Sequence, residues 1–538
     1  MIRWRLLGRR MMLFMGLMVA IVIAAVLAEP WLRSRSTGLE EKVLKARLSP
    51  QTSDRVIVFA PHTDDETLGA GGLIKRAVEA GAQVLVVLMT NGDGFTYAAQ
   101  DEFKTLRVTP QKYIQFAYIR QKESLAALKL LGLKRENVIF LGYPDRGLAA
   151  MWGANWEYED LYTSRFTRLQ HSPYRNSYQK NAPYAGLSVV KDLREIMQSF
   201  QPTIVVMPHP NDAHADHWAT RNFVVYALEE LKEEGEPFAF SVRSFLYLVH
   251  RGDWPLPKGL NLNGELLPPT KLADLSTRWL RVEMDEKEVE TKYQAILKYK
   301  SQIALMRRFL VSFARKNELY GVLPPAVVPE VPNGRIKADG DSRDWEGIGA
   351  AILDPTMDTI ARNLEGSADL KSLAAAMDTR YLYLKVEVRR KVSPAVTYIV
   401  HLRAFGGRYL GGTPGRTFDL ILRSPARVTV RESGKQKTRP RRAFSIFLPR
   451  PSVRAVMSGP TNGVLFAAKD NTLELGVPLE LLGNPRFIFC GAETFLAGVQ
   501  VDKSAWRLLS AGGDDAGTGV GAEEQSQRTD SWGIIVQR

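Results

Sequence analysis

A single cysteine, Cys490, occurs in 538 residues, which excludes an intrachain disulfide and any cysteine-built metal site. Histidine is almost as scarce: His62, His171, His209, His214, His217, His250 and His401 are the only seven. A metal centre must therefore use histidine and carboxylates, and three of the seven fall between positions 209 and 217. A strong charge of one sign is missing too. Lys and Arg total 72 against 58 Asp and Glu, and the resulting +14 is mild for this length. A basic stretch from Lys435 to Arg454, with Lys437, Arg439, Arg441 and Arg442, reads first as a solvated hairpin or loop. Its second reading is a contact for anionic polymer or lipid headgroups, and no nucleic-acid partner is expected. Beyond the amino terminus no apolar run is long enough to cross a bilayer, so a many-span membrane protein is excluded. With 45% hydrophobic and 24% charged residues, the body of the chain has a globular composition.

The one long apolar run, Met11 to Ala28, follows Arg3, Arg5, Arg9 and Arg10 and precedes Glu29-Pro30. As a helix it would reach about 27 Å, barely the hydrocarbon thickness. The arginines favour the cytoplasmic side, so residues 1–30 are expected to be a membrane anchor with the remainder on the non-cytoplasmic side. Val26-Leu27-Ala28 offers the alternative of a cleaved signal peptide and a secreted product. Residues 31–53 read as a stalk.

From Arg55 short apolar runs alternate with amphipathic helices. Strands are expected at 55–60, 83–90, 138–142, 203–208 and 244–249, and helices at 64–79, 119–131, 187–200 and 214–234. A longer helical segment over 285–318 closes the unit. This alternation predicts an α/β domain over 54–320, with a Rossmann-like, doubly wound, mainly parallel sheet. Between Tyr143 and Tyr184 the pattern gives way to Trp152, Trp156, Tyr158, Tyr162, Phe166, Tyr174 and Tyr178. These aromatics either stack on sugar faces or pack the loop onto its domain. Pro324, Pro325, Pro329 and Pro332 mark a linker over 321–335. Period-two runs at 381–388, 396–402, 418–422, 427–431 and 473–477 then predict an all-β sandwich over 336–538, with a flexible Gly- and acid-rich loop at 511–530.

Two segments carry the chemistry. Strand 55–60 runs into Pro61-His62-Thr63-Asp64-Asp65-Glu66, and strand 203–208 runs into His209-Pro210-Asn211-Asp212-Ala213-His214-Ala215-Asp216-His217. Ligands in open α/β sheets bind beyond the carboxyl ends of strands, where both segments lie. His62 and Asp65, three apart across a strand-to-helix turn, can face one cation while Asp64 stays free. Two histidines and one carboxylate suit hydrolytic zinc, and also admit Fe2+, Mn2+ or Co2+. Such a cation acidifies water, a nearby carboxylate takes its proton, and an imidazole stabilises a tetrahedral oxyanion. Gly69-Ala70-Gly71-Gly72 lacks the spacing of a nucleotide-binding loop and sits inside a helix.

Pro61–Glu66 resembles the P-H-P-D-D-E signature of the PIG-L/LmbE-like metal-dependent de-N-acetylases, and His209–His217 resembles that family's H-P-x-D-x-H-x-D-H motif. Arg120-x-x-Glu123 and Leu141-Gly142-Tyr143-Pro144-Asp145 resemble its middle segments, so the likeness spans roughly residues 54–250. The resemblance implies His62, Asp65 and His217 as metal ligands and Asp64 as general base. It implies His214 as oxyanion stabiliser or acid, and Asp216 as the partner orienting His214 or His217. Arg120 and Asp145 become sugar contacts. Thr63 departs from the family's proline, which implies altered rigidity of the turn. The implied activity is removal of the N-acetyl group from an N-acetylglucosamine-type sugar, its partner being an amino-sugar-containing glycan, glycolipid or exopolysaccharide. Ala338–Asp341, Asp344-Trp345, Tyr381–Leu384 and Leu473–Pro478 resemble the sandwich of family-nine-like carbohydrate-binding modules, which implies sugar binding there. Two other readings remain open at this point: a deacylase of a non-sugar N-acyl compound, and a non-catalytic glycan-binding envelope protein.

Overall fold

The computed structural model describes residues 43–252, 254–358, 360–406, 416–423, 427–432, 463–511 and 535–536. The expected anchor (1–30), the basic stretch 435–454 and positions 512–530 of the Gly- and acid-rich segment lie outside the described residues. Among the described residues no helix is long and apolar enough to cross a membrane.

The first sheet is built from β1 (Val43–Arg47), β2 (Arg55–Ala60), β3 (Gln83–Thr90), β4 (Val138–Tyr143), β5 (Ile204–Pro208), β6 (Arg243–Tyr247), β7 (Arg278–Glu283) and β8 (Asn317–Val322). Its helices are α1 (Asp65–Glu79), α2 (Thr96–Glu102), α3 (Pro110–Leu130), α4 (Leu148–Trp152), α5 (Gly186–Phe200), α6 (Ala215–Glu233), α7 (Glu286–Ile296) and α8 (Lys300–Leu310). The β2 sequence RVIVFA is a continuous apolar run because both of its faces are covered. Val56, Val58 and Ala60 join one core with Leu73 and Ile74 of α1, while Ile57 and Phe59 join another with Val189 and Leu193 of α5.

Strands β4, β3, β2, β5 and β6 are neighbours in that order and all parallel. The chain winds outward from β2 in one direction and from β5 in the other, so the order reverses between β2 and β5. A crevice opens at such a switch point. Both chemistry-bearing segments leave the sheet there. Beyond β6 the sheet turns antiparallel through β8 and β7.

Several boundaries differ from the sequence reading. The helix expected at 119–131 starts at Pro110, where Thr109 caps it by accepting the Lys112 N–H at 3.4 Å. The segment 285–318 is two helices leading into β8, which lies between β6 and β7: Asp285 and Glu288 form a capping box that starts α7. Residues 43–47, inside the expected stalk, are β1, paired in parallel with β7. The Pro-rich segment 321–335 holds β9 (Ala326–Val328), which pairs with β20 (Arg507–Ala511).

The carboxy-terminal region is β-rich. One sheet contains β10 (Ala350–Leu353), β11 (Leu370–Met377), β12 (Tyr381–Val388), β16 (Leu465–Lys469) and β17 (Thr472–Pro478). The other contains β9, β13 (Val396–Phe405), β14 (Arg416–Arg423), β15 (Arg427–Glu432), β18 (Phe487–Leu496), β19 (Val499–Lys503) and β20. Leu373, Leu384 and Leu475 of the first share a core with Val400, Leu402 and Ile488 of the second. A last pair, β21 (Ile535–Val536), adds to β1.

The β-rich region does not hang free of the α/β domain. Phe405, Phe487, Phe489, Trp506 and Leu508 belong to the same buried cluster as Trp152, Trp156 and Phe223. The Arg403 guanidinium lies 3.7 Å from the centroid of Trp156 and 4.6 Å from that of Trp152, and donates to the Trp152 carbonyl. For these two tryptophans the packing alternative holds: their faces are used between the domains.

Candidate metal centre

The turn after β2 places Asp65 at the first position of α1, where its Oδ2 accepts the backbone N–H of His62 at 3.0 Å. The same oxygen lies 3.0 Å from His62 Nδ1 and 3.0 Å from His217 Nε2. One buried carboxylate oxygen thus brings together the histidine after β2 and the histidine in the first turn of α6. Asp64 stands beside them and accepts from Arg120 Nη2 at 3.0 Å. Arg120 also donates to the carbonyls of Thr63 and Gly92, each at 2.8 Å. Gly92 has φ +62°, and a Cβ there would sit 1.8 Å from Arg120 Nη1, so glycine is what lets the arginine reach the turn.

The second segment is knitted by Asp212. Its Oδ2 accepts the backbone N–H groups of Val249 and His250, both at 3.0 Å, and lies 3.1 Å from His217 Nδ1. Its Oδ1 accepts the His214 N–H at 2.9 Å. His214 caps α6, its Nδ1 accepting the Asp216 N–H at 3.2 Å, so the proton of the neutral ring sits on Nε2. Asp216 carboxylate oxygens accept from Arg146 N at 2.6 Å and Leu148 N at 3.1 Å, and one faces His62 Nε2 at 3.3 Å. Asp145 Oδ1 lies 3.5 Å from the same nitrogen, and its Oδ2 accepts from Gly94 N at 2.8 Å.

These neighbours set the electrostatics. Burial alone would depress the His62 imidazolium, yet Asp145, Asp216 and Asp65 hold its pKa well above the ordinary value. His217 is likewise pushed up to about 9: burial opposes it, and Asp212 and then Asp65 prevail. Asp65, despite burial, is held well below the carboxylate range by His217 and His62. Burial raises Asp64 to about 7, against the pull of Arg120. His214 is lowered to about 4 by burial and then by the charge of His62, and His250 to about 4 by burial and then by His217.

The donor set fits a divalent cation. Buried carboxylates surround two imidazoles and drive them toward the charged form, so the site calls for positive charge. Both ring nitrogens of fully buried His217 lack a well-directed hydrogen bond although each faces a carboxylate. Ligand atoms of His62, His214 and His217 lie within 4.8 Å of one another, as do those of Asp65, His217 and His250. The cleft above them is lined on one side by His62, Asp64, Asp65 and His214 and on the other by Phe95, Met306 and Phe309.

Residues 57–228 match the PIG-L family model, described as GlcNAc-PI de-N-acetylase. Over those residues the chain is similar to the PIG-L family. A Mycobacterium sp. (strain KMS) protein named "1D-myo-inositol 2-acetamido-2-deoxy-alpha-D-glucopyranoside deacetylase" is 29% identical over 228 residues, 42% of this chain and 62% of that protein. A Bacillus cereus protein named "Probable N-acetyl-alpha-D-glucosaminyl L-malate deacetylase 2" is 24% identical over 35% of this chain and 66% of its own. The chain therefore spans less than two thirds of the curated relatives it matches. Among solved structures, the N,N'-diacetylchitobiose deacetylase from Pyrococcus horikoshii is 20% identical, with a TM-score of 0.32, over 51% of this chain and 86% of that one.

Within the PIG-L segment the structure brings His62, Asp64, Asp65, His214, Asp216 and His217 together with Arg120 and Asp145 around one cleft. Two of these residues make contacts that the sequence reading did not include. Of the two partners expected for Asp216, His214 accepts its backbone N–H, whereas His217 Nδ1 faces Asp212; the Asp216 carboxylate closes the 145–148 turn. Arg120, expected on the sugar, has its guanidinium on Asp64 and two carbonyls, although it also lines the cleft. Sequence reasoning did not single out His250, whose ring stands 4.8 Å from that of His217 and stacks on Phe309 at 5.6 Å. Its position just beyond β6, the strand beside β5, was the available signal. His209 belongs to the motif but not to the cluster: it is fully buried, stacked on Trp279 at 4.9 Å, with Nε2 2.8 Å from Thr277 Oγ1.

Proposed function

We propose that the α/β domain hydrolyses the N-acetyl amide of an N-acetylglucosamine-type sugar in a glycan, glycolipid or exopolysaccharide. The observation that carries the reading is a free-edged carboxylate, Asp64, set beside three convergent donors and lining the same cleft. His62, Asp65 and His217 would hold a divalent cation, zinc first and Fe2+, Mn2+ or Co2+ as alternatives. When bound, such a cation supplies Lewis acidity and acidifies water. Asp64 takes the proton of the attacking water, and Arg120 fixes the direction of that carboxylate. His214, neutral and protonated on Nε2, donates toward the oxygen that gains charge, and the proton that Asp64 took from the water then passes to the departing amine. Asp145 and Asp216 keep the His62 ring in place. The sugar portion of the reading draws on the relatives' names, one a 2-acetamido-2-deoxy-alpha-D-glucopyranoside deacetylase and the other an N-acetyl-alpha-D-glucosaminyl L-malate deacetylase. The address belongs to the proposal as well: the basic and then apolar composition of residues 1–30 supports anchoring, with the domains on the non-cytoplasmic side.

Acetate release by residues 43–538, with metal content measured in parallel, tests the chemistry. Asp64→Asn should keep the metal and lose turnover by at least about 100-fold. His62→Ala should lose both. An unchanged rate in Asp64→Asn removes the base assignment, and turnover of N-acetylated amino acids but of no N-acetyl sugar moves the substrate to the non-sugar class.

A further inference from the structure

Away from the catalytic cleft, a second cavity lies between α6, β6 and the segment 322–325. Its walls are mostly apolar, with Met207, Val225, Leu228 and Leu246 among them, and Arg221 and Lys232 line it from α6. Arg221 is only 3% exposed. It donates from Nη1 to Asn222 Oδ1 at 3.2 Å and to the Trp506 carbonyl at 3.4 Å, and its guanidinium lies 5.6 Å from the Phe489 centroid. Its Nε has no partner, and among the described residues no carboxylate pairs with it. Arg507, also buried, leaves its Nε unpartnered and adds like charge nearby. Among the described residues the one carboxylate lining the cavity, Glu229, is held by Lys232 Nζ at 2.9 Å.

A buried cation with no ion pair of its own, its nearest carboxylate Glu229 already held by Lys232, is costly, and proteins that retain one generally oppose it with an anion. Burial and then the neighbouring Arg507 push Arg221 down to about 9, against the weaker pull of Glu229, and burial alone lowers Arg507 to about 10. The wall is apolar over several side chains, so a bare inorganic anion would satisfy the charge and leave the rest of the space unused. We propose that this cavity is a binding site for a carboxylate with an alkyl body, the carboxylate on Arg221 and the chain along Met207, Val225 and Leu228. The site is separate from the cleft of His62 and Asp64 and shares no lining residue with it.

The test uses the full chain, sodium octanoate below its micellar range, and matched sodium acetate, sodium chloride and n-octanol. Octanoate should raise the melting temperature of the protein saturably and bind calorimetrically, with acetate at least tenfold weaker and octanol inactive. Arg221→Met should weaken octanoate by tenfold or more. If that variant fails to fold, Val242→Trp, at a partly exposed wall position, should block octanoate with Arg221 intact. Equal responses to acetate and octanoate overturn the alkyl part of the proposal. No response to octanoate, or an undiminished response in both variants, overturns it altogether. None of these readouts requires turnover, so they stand or fall separately from the hydrolase reading.

Discussion

Asp212→Asn is the substitution on which the construction of the metal centre is most exposed. One carboxylate serves four groups: Val249 N, His250 N and His217 Nδ1 on Oδ2, and His214 N on Oδ1. The carboxamide of asparagine keeps one oxygen. If that oxygen stays on the His214 side, its NH2 faces two backbone donors that then lose their acceptor. At roughly 1–3 kcal/mol for each buried donor left unmade, the metal-free protein should lose about 2–6 kcal/mol. At about 2–4 °C per kcal/mol this appears as a drop in melting temperature on the order of 10 °C. The second effect is separate: His217 loses the group that fixes its ring, and loss of such an outer partner weakens metal binding by roughly 10- to 100-fold. Zinc content during titration with a chelator measures the second effect, and melting of the metal-free protein measures the first. Zinc affinity within about twofold of the parent would refute the claim that Asp212 orients His217, and an unchanged melting point would refute the claim that it ties the loop to the end of β6.

Three further outcomes follow from the packing. Gly69→Ala places a Cβ 2.4 Å from Cδ2 of Tyr247, a ring held by its hydroxyl on the Phe59 carbonyl at 3.0 Å; overpacking of about 1–3 kcal/mol should appear as a lower urea midpoint, and an unchanged midpoint would contradict it. Lys292 Nζ meets Glu318 Oε1 at 2.6 Å with both side chains buried, so Lys292→Met should cost about 3–5 kcal/mol by stranding Glu318. The double variant with Glu318→Gln should recover part of that loss, and a double variant no better than the single one counts against a stranded charge. His401, against Asp419 at 2.7 Å and Glu493 at 3.5 Å, is raised to about 10: burial opposes the shift and Asp419 leads the groups that produce it. A raised folded pKa stabilises fully below the unfolded value near 6.5 and loses that contribution as pH climbs toward 10. Stability should therefore fall across that window in the parent and fall less in His401→Gln; parallel curves would exclude His401 as the source.

Strands such as β2 and β3 were legible because a doubly covered parallel strand is written as an unbroken apolar run, whatever its neighbours are. The two metal-site segments were legible for a related reason: each follows such a strand, and the switch between β2 and β5 is a consequence of the winding. The start of α3 was missed because the cap Thr109 and the first-turn Pro110 precede any apolar periodicity in that helix. The expected helical segment 285–318 overruns into Asn317 and Glu318, the first residues of β8, because their polar groups, Glu318 beneath Gly72 and Leu73 among them, are satisfied only in the folded chain. Asp212 stayed hidden although it lies inside the motif. Its partners Val249 N and His250 N are backbone groups far along the chain, and no spacing rule reports a side chain bonded to a distant main chain.

The domain junction shows the same limit on a larger scale. Trp152 and Trp156 sit in a long aromatic stretch, and composition alone cannot say whether such rings face a sugar or a neighbouring domain. The deciding residues are Arg403, Phe489 and Trp506, more than two hundred positions away, and they come from strands whose own alternation is fully explained by the β-rich core. Helix α6 joins the two questions. Its first turn carries His217 into the metal centre, and the next residue, Trp218, stacks on Trp506 at 6.1 Å and lies beneath Lys503 Nζ at 3.4 Å. At the other end of the same contact, α4 begins at the turn closed by Asp216 and finishes at Trp152 under Arg403. The β-rich region therefore packs on α6, which carries both Asp216 and His217, and on α4, whose first residue donates to Asp216, so substitutions at Trp506 or Arg403 act on the same elements that position His217 and Asp216.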